Sequence, residues 1–209
     1  MFSLQTIFGK GDKFYGLLEA SAAAAHESTR ALTDLLATPI PQRTLEKFKL
    51  ARQREKDLSA QISQELINTF VTALEREDIE TLSNVLYKIP KVIEKFAERY
   101  TFASQRVADV DFIPRAKMLE QACAVLEEMV GQLRNGMNLE TSKALNDKMQ
   151  AIEAEADRQI LELYRDSYLH ETDPMRYLIL KDLFELLEKA IDRCRDAGNV
   201  VHHVILKNS

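Results

Sequence analysis

The 209-residue chain has no tryptophan and contains only 6 glycines, 5 prolines and 2 cysteines. Few glycines and prolines, together with many Leu, Ala, Glu and Lys residues, are typical of a helical protein. The two cysteines, Cys123 and Cys194, stand far apart in the sequence, which indicates neither a disulfide framework nor a zinc site. We therefore expect a helical, reduced, cytoplasmic protein.

The chain also lacks an excess of positive charge and a long hydrophobic run. Its net charge of −5 argues against nucleic acid as the main partner, because nucleic-acid binders usually present a basic face. No apolar run approaches the roughly 18–20 residues that cross a bilayer. The opening MFSLQTIF has no basic stretch followed by an apolar core, so it does not resemble a secretory signal.

Proline and glycine divide the sequence into six predicted helices. They cover about residues 12–37, 41–72, 75–102, 114–134, 139–168 and 173–203. Pro90 predicts a kink within the third helix, and Gly136 follows the end of the fourth. Apolar residues recur at spacings of three and four in each helix, and no strand-like alternation persists. The predicted fold class is all-α.

Carboxylates form a row on the last predicted helix. Glu188, Asp192 and Asp196 follow one another at four-residue spacing, and Glu153 and Asp157 do the same on the helix before. Residues four apart lie on the same side of a helix, about 5–6 Å apart at Cβ. Carboxylate oxygens bind hard cations. Two neighbouring helices of this kind therefore predict a metal site on the outer surface of the helical bundle, or in a groove at the edge of the bundle.

The acidic row also has an alternative interpretation. It lies nearly opposite the apolar stripe of its own helix, as a solvated face does. Lys181, Lys189 and Arg195 are available to neutralise it. From the residues alone, both a metal site and a charged structural surface remain open.

Motifs for catalysis are scarce. None of the four histidines follows a glutamate by three residues, so the Glu-x-x-His pair of ferritin-like di-iron bundles is absent. The sequence also lacks a Gly-x-x-x-x-Gly-Lys phosphate loop and any persuasive nucleophile–base set. These observations favour a binding protein over an enzyme.

An internal repeat is a further possibility. Glu55 and Asp57 stand 100 residues before Glu155 and Asp157, at corresponding points of amphipathic stretches. Such spacing suggests three helices followed by three related helices. Helical patterns also align by chance, so spacing alone leaves the repeat open.

Three stretches of the chain resemble the PhoU-like phosphate transport regulators, the family of Pit-accessory proteins. They are IFGKGDKFYGLLEASAAAAHES, NTFVTALEREDIETL, and the segment from EAEADRQILELY through DPMRYLILKDLFELLEKAIDRCRDAGNVV. The resemblance extends over essentially the whole chain. It implies one domain over residues 1–209, in which six long helices form two three-helix bundles related by an internal repeat, with repeats at about 9–103 and 112–204.

The resemblance also implies bound metal, either divalent or trivalent, with Fe, Zn, Mn or Mg as candidates. Carried over by position, the implied ligands are Glu153, Asp157, Glu188, Asp192 and Asp196.

The first half departs from the family pattern. Residues 86–91, LYKIPK, stand where the family has an acidic run, and Gln53 stands where a carboxylate would precede Asp57. We therefore predict that the first-half metal site is lost. Lys88 or Lys91 is expected to form salt bridges with the remaining carboxylates, which are Asp57, Glu94 and Glu98.

The function implied by the resemblance is regulatory. We expect a non-enzyme that binds a Pit-type inorganic phosphate transporter at the cytoplasmic face of the inner membrane. Long apolar stripes and the alanine-rich residues 21–25 favour a homo-oligomer. The alternatives are a metal-dependent hydrolase with carboxylate-held ions, and a helical adaptor without metal.

Overall fold

The computed structural model describes residues 4–209, with side chains from Asp12 onward; the first three residues of the MFSLQTIF stretch lie outside this range. Its helices are α1 (Leu4–Ala37), α2 (Glu46–Asn68), α3 (Arg76–Leu86), α4 (Lys88–Ala103), α5 (Ile113–Gln132), α6 (Leu139–His170) and α7 (Pro174–Asn208). Apart from these, a single 3-10 turn spans Ile40–Gln42. Residues 4–209 contain no strand, so the predicted all-α class is confirmed.

The third predicted helix is two helices. α3 ends at Leu86, Tyr87 forms a turn, and α4 begins at Lys88. Pro90 explains the break, because proline has no N–H to donate and its ring collides with the carbonyl four residues earlier, which belongs to Leu86. Tyr87 keeps helical backbone angles (φ −53°, ψ −29°) and its N–H donates to the Ser83 carbonyl at 3.0 Å, so the predicted kink lies at a local break in the hydrogen bonding of one helical path.

Other helix ends follow their capping residues. The Asn138 side chain accepts a hydrogen bond from the Thr141 N–H at 2.8 Å and begins α6. The Asp173 side chain accepts one from the Met175 N–H at 2.9 Å and begins α7. The predicted start of the second helix at Pro41 is wrong, since Pro41 lies in the 3-10 turn and α2 begins at Glu46.

The helices pack as two groups. In the first, α1 and α2 pack against each other and against α3 and α4; in the second, α5, α6 and α7 all pack against one another. The groups join where α1 packs on α5 and where α3 and α4 pack on α7. The helices α2 and α6 make their main contacts within their own groups. The predicted repeat boundaries stay a prediction.

One continuous apolar core runs through both groups. Where α4, α5 and α7 meet, the rings of Phe112 and Phe184 stack with their centroids 4.8 Å apart. Phe96 and Tyr100 of α4 pack edge-on to Phe112 at 5.7 and 5.5 Å. Each fully buried aromatic side chain stabilises the fold by about 1.5–3 kcal/mol, so this cluster fastens the first group to the second.

The alanine-rich run of α1 packs against other helices of the same chain. Ala22, Ala24 and Ala25 are buried, and α1 packs on α2, α3, α4 and α5. Small side chains let these neighbours approach closely. The run therefore offers no face to a second copy, and the expected homo-oligomer stays a prediction.

A helix that spans a membrane must be both long and strongly apolar. Within the described part of the chain, no helix combines the length and the apolar character that crossing a bilayer demands.

Candidate metal-binding groove

The predicted ligands lie along the contact between α6 and α7. On α6, Met149 and Ala156 are buried against α7, which places Glu153 and Asp157 at the flank of the contact. On α7, Ala190, Ile191 and Cys194 are buried, and Asp192 lies half-buried beside them. We call the surface formed by Glu153, Asp157, Glu188, Asp192 and Asp196 the acidic groove.

Arg195 lies between three of the five carboxylates. Its guanidinium forms an ion pair with Glu153 of α6 and approaches Asp192 at 3.1 Å and Asp196 at 3.2 Å. Arg193 adds a second contact to Asp196, at 2.9 Å. The structure therefore brings Glu153, Asp192 and Asp196 together around an arginine of the same chain.

The Arg195 side chain stays positively charged. Burial acts to lower the pKa of Arg195, but the hydrogen bond to Asp196 and the negative charges of Asp192, Glu153 and Asp196 outweigh burial and raise it. A guanidinium remains protonated at every physiological pH. It supplies a permanent positive charge to this part of the acidic groove.

Glu188 and Asp157 lie outside the reach of Arg195. Neither forms a hydrogen bond or an ion pair within residues 12–209. Burial raises the pKa of Glu188 to about 7, and the negative charges of Asp192, Asp157, Glu185 and Glu153 add to the effect. Arg115 lines the same small cavity as Glu188 without forming an ion pair with it, so the carboxylates at this end of the acidic groove are unpaired within residues 12–209.

As placed, the five carboxylates do not form a set of metal ligands. Among the residues the structure describes, no three His, Cys, Asp or Glu side chains lie close enough together to hold a metal ion. A metal bound by Glu153, Asp192 and Asp196 would have to displace the Arg195 guanidinium. Metal binding at these residues, and the identity of the metal, stay predictions.

Glu185, three residues before the acidic row on α7, is paired within the chain. Glu185 accepts a hydrogen bond from the Tyr164 hydroxyl at 2.6 Å and pairs with Lys181. The Lys181 ammonium and the Tyr164 hydroxyl lower the pKa of Glu185. These contacts agree with the second interpretation of the row, a charged structural surface, at this position.

The corresponding contact in the first group, between α2 and α4, is also organised by an arginine. Arg52 is 7% exposed, and its Nε lies 3.3 Å from Glu94. It donates to the Tyr87 carbonyl at 3.3 Å and to the Tyr87 hydroxyl at 3.0 Å, with its guanidinium 4.6 Å from the ring centroid. Arg52 and Tyr87 therefore hold α2 against the start of α4.

Arg52 forms the salt bridge with Glu94 that was expected of Lys88 or Lys91. Both lysines are exposed and make no ion pair within residues 12–209. Arg52 projects from α2 at the level of Glu94 and reaches it across the helix contact. Sequence reasoning missed Arg52 because heptad spacing does not show which long side chain crosses to a neighbouring helix.

Glu55 is a second residue that sequence reasoning missed. It is 0% exposed, and neither of its carboxylate oxygens has a hydrogen-bond partner among the described residues. Burial raises the pKa of Glu55 to about 7, against the opposing effects of the nearby Ser21 hydroxyl, which is too poorly aligned to form a hydrogen bond, and of the charges of Arg52 and Arg54. A buried carboxyl group of this kind is protonated more readily than one in water.

The cysteines and His26 have structural contacts. The Sγ atoms of Cys123 and Cys194 are 3.4 Å apart as buried free thiols between α5 and α7. The His26 Nδ1 lies 2.6 Å from a Glu127 oxygen and joins α1 to α5. These residues fasten helices to one another, away from the acidic groove.

Known proteins resemble this chain over nearly its whole length. No protein-family model matches it. It is 24% identical to UPF0111 protein YkaA of Bacillus subtilis (strain 168), over 96% of this chain and 98% of that protein. It is 20% identical to a Rhizobium meliloti (strain 1021) protein named "Putative pit accessory protein", over 94% of each. The crystal structure of a PhoU-like protein from Shewanella oneidensis MR-1 matches with a TM-score of 0.79 and 16% identity, covering 93% of this chain and 99% of that one.

The chain has the PhoU-like fold. The likeness to the Shewanella structure spans nearly all of both chains, so it includes both groups of helices and not a single shared hairpin. The resemblance inferred from the sequence is confirmed, and with it the expected helical-bundle architecture.

Proposed function

We propose that this chain is an accessory protein of inorganic phosphate transport, which acts by binding a Pit-type phosphate transporter and not by catalysis. The observation that carries the proposal is the match to the Rhizobium protein named as a pit accessory protein, which covers 94% of both chains. Because the match covers nearly all of both chains, the likeness is not confined to one shared segment. The PhoU-like fold supports the same proposal.

In this proposal the chain is cytoplasmic and lies at the inner face of the inner membrane. Two exposed phenylalanines at opposite ends of the bundle provide probes for the contact with the transporter. Phe70, 98% exposed, lies in the connection between α2 and α3, and Phe102, 86% exposed, lies at the end of α4. Either side chain can be changed without opening the apolar core.

The test is co-purification from membranes of the native host. We expect a Pit-type transporter to accompany the wild-type chain. Phe70→Asp and Phe102→Asp place the same change at opposite ends, so selective loss in one variant identifies the end that contacts the transporter. If wild-type chain at its natural abundance brings down no phosphate transporter, and deletion of the chain leaves phosphate uptake unchanged, the proposal is wrong.

The position of Arg195 favours an accessory protein that acts as a helical adaptor and holds no metal. The Arg195 guanidinium already supplies positive charge to Glu153, Asp192 and Asp196. Elemental analysis of protein purified without an affinity tag separates the two forms. Bound metal that is lost in a Glu188→Gln/Asp192→Asn double variant supports a metal-holding accessory protein, whereas metal-free protein that still co-purifies with the transporter supports the adaptor.

Catalysis is tested on the same protein. A hydrolase would need a general base beside carboxylate-held ions to activate water. Turnover of phosphoesters that disappears in Asp192→Asn would contradict the non-enzymatic part of the proposal.

A further inference from the structure

The surface between α2 and α4 has the opposite charge to the acidic groove. Arg52 and Lys56 stand one turn apart on α2, and Tyr87 and Lys91 face them from the start of α4. We call these four residues the basic groove. Lys56 and Lys91 are exposed and form no ion pair within residues 12–209.

Tyr87 is held as a hydrogen-bond donor in this groove. Its oxygen accepts from the Arg52 guanidinium at 3.0 Å, and the same guanidinium lies over its ring. The hydroxyl proton therefore points away from Arg52, and no side chain in the described part of the chain accepts it. The hydrogen bond from Arg52 and the charges of Arg52, Lys91 and Lys56 lower the pKa of Tyr87, which makes its O–H a stronger donor.

Carboxylates near the basic groove are largely engaged. Glu94 pairs with Arg52 at 3.3 Å, and Asp57 accepts a hydrogen bond from Gln53 at 2.9 Å. Glu98 stands on α4 one turn beyond Glu94, further from Tyr87. Lys56 lies near enough to Glu94 for its charge to act on that carboxylate, but neither Lys56 nor Lys91 forms an ion pair within residues 12–209, and both lie near the Tyr87 hydroxyl.

We propose that the basic groove binds a phosphate group, with Lys56 and Lys91 supplying charge and the Tyr87 hydroxyl donating a hydrogen bond. A phosphate group has several acceptor oxygens and one to two negative charges, which suit an O–H donor with two ammonium groups in its neighbourhood. Arg52 is a positioning residue, since it orients Tyr87 and neutralises Glu94. The choice of phosphate over other anions rests on the proposed function.

A phosphate group reaches this surface from two sources. One is free inorganic phosphate, and the other is the headgroup of an anionic phospholipid at the membrane surface. Both present the same oxygens to Lys56, Lys91 and Tyr87. The two sources are separated by titrating inorganic phosphate in one arm and phosphatidylglycerol vesicles in the other, with phosphatidylcholine vesicles as the reference.

The variants are matched in charge. Lys56→Gln/Lys91→Gln removes two exposed ammonium groups from the basic groove. Lys143→Gln/Lys148→Gln removes two exposed ammonium groups from α6, which also lack ion pairs within residues 12–209. Tyr87→Phe keeps the ring beneath Arg52 and removes only the hydroxyl.

Binding of inorganic phosphate is measured by calorimetry at constant ionic strength, and binding to vesicles by co-sedimentation. We expect the Lys56/Lys91 variant and Tyr87→Phe each to weaken binding about tenfold, the size expected for loss of a hydrogen bond to a charged group. The Lys143/Lys148 variant should bind like wild type. Phosphate binding identifies the free anion as ligand, and vesicle binding alone identifies the headgroup.

Two results overturn the inference. One is that wild-type protein binds neither inorganic phosphate nor phosphatidylglycerol vesicles. The other is that both lysine pairs weaken binding equally, which would show attraction to overall charge. Either result leaves co-purification with the transporter unaffected, so failure of this inference is distinguishable from failure of the proposed function.

Discussion

At the residue scale, each group of helices places an arginine at the position where its carboxylates converge. Arg52 joins α2 to α4 through Glu94 and Tyr87. Arg195 joins α7 to α6 through Glu153. A guanidinium is planar, permanently charged and rich in donors, so it satisfies several oxygens at once. Within residues 12–209, Glu188 and Asp157 are the carboxylates of the acidic groove without such a partner, and Glu188 is the more buried of the two.

Glu188 should make the stability of the protein depend on pH. Its pKa is raised from 4.5 to about 7 in the folded state, so between these values the folded chain binds a proton more tightly than the unfolded chain. Stability from this group therefore rises as pH falls from 8 to 5. We expect Glu188→Gln to raise the free energy of unfolding at pH 8 by about 1 kcal/mol, after discounting for solvent screening, with little effect at pH 5.

The control for this prediction is Glu185→Gln. The contacts of Glu185 with Lys181 and Tyr164 lower its pKa, so its charged form stabilises the folded state at pH 8. The two substitutions should change the free energy of unfolding at pH 8 in opposite directions. Urea denaturation at pH 5 and pH 8 measures this, and equal shifts in the two variants would contradict the assignment.

At the element scale, Arg195 links α6 to α7. Its removal leaves Glu153, Asp192 and Asp196 close together without their shared cation. We expect Arg195→Met to lower the free energy of unfolding by about 1–2 kcal/mol, because the hydrogen bonds lost are to charged, half-buried groups. Urea denaturation at pH 7.5 measures the loss.

Arg193→Met is the matched control. Arg193 contacts only Asp196 of its own helix, at 2.9 Å, and such pairs contribute about 0.2–0.5 kcal/mol. If both variants lost the same stability, the cross-helix role assigned to Arg195 would be wrong. Added magnesium or manganese that restored stability to Arg195→Met alone would show that a cation can take the position of the guanidinium.

The helices were predictable from the sequence to different degrees. The starts of α6 and α7 lie within a residue of the predicted ones, because Asn138 and Asp173 cap them with side chains that bond their own backbone, which is a local signal. The contacts of the grooves were less predictable. Helical spacing placed Glu188, Asp192 and Asp196 on one face, but it did not show that Arg52 would cross from α2 to Glu94, since that contact depends on the packing of distant segments.

At the scale of the whole molecule, one core serves both groups of helices. Phe184 of α7 is buried against Phe112 of α5, which in turn contacts Phe96 and Tyr100 of α4. The Arg115 guanidinium lies over the Phe184 ring, 4.4 Å from its centroid. The contact between the groups is therefore built from buried aromatic rings that belong to the same apolar core as the rest of the molecule.

Phe184→Ala should destabilise the entire chain in a single transition. We expect the free energy of unfolding to fall by about 3–5 kcal/mol, the usual cost of removing a buried phenylalanine. Circular dichroism during thermal unfolding measures the change. Phe102→Ala, at an exposed position, should have an effect below about 0.5 kcal/mol. Two separate transitions in Phe184→Ala would show that the groups fold independently.

The break between α3 and α4 at Tyr87 affects how a displacement at one end of the molecule reaches the other end. α1 and α7, of 34 and 35 residues, are each continuous over about 50 Å at 1.5 Å per residue. Displacing one end of such a continuous helix also displaces its other end. α3 and α4 join through Tyr87, and because Pro90 has no N–H, one helical hydrogen bond is missing there and bending is easier. Lys207 ties the end of α7 to Glu75 and Asp78 near the start of α3, so we expect a load on the connection that carries Phe70 to reach α7 more directly than it passes along α3 and α4.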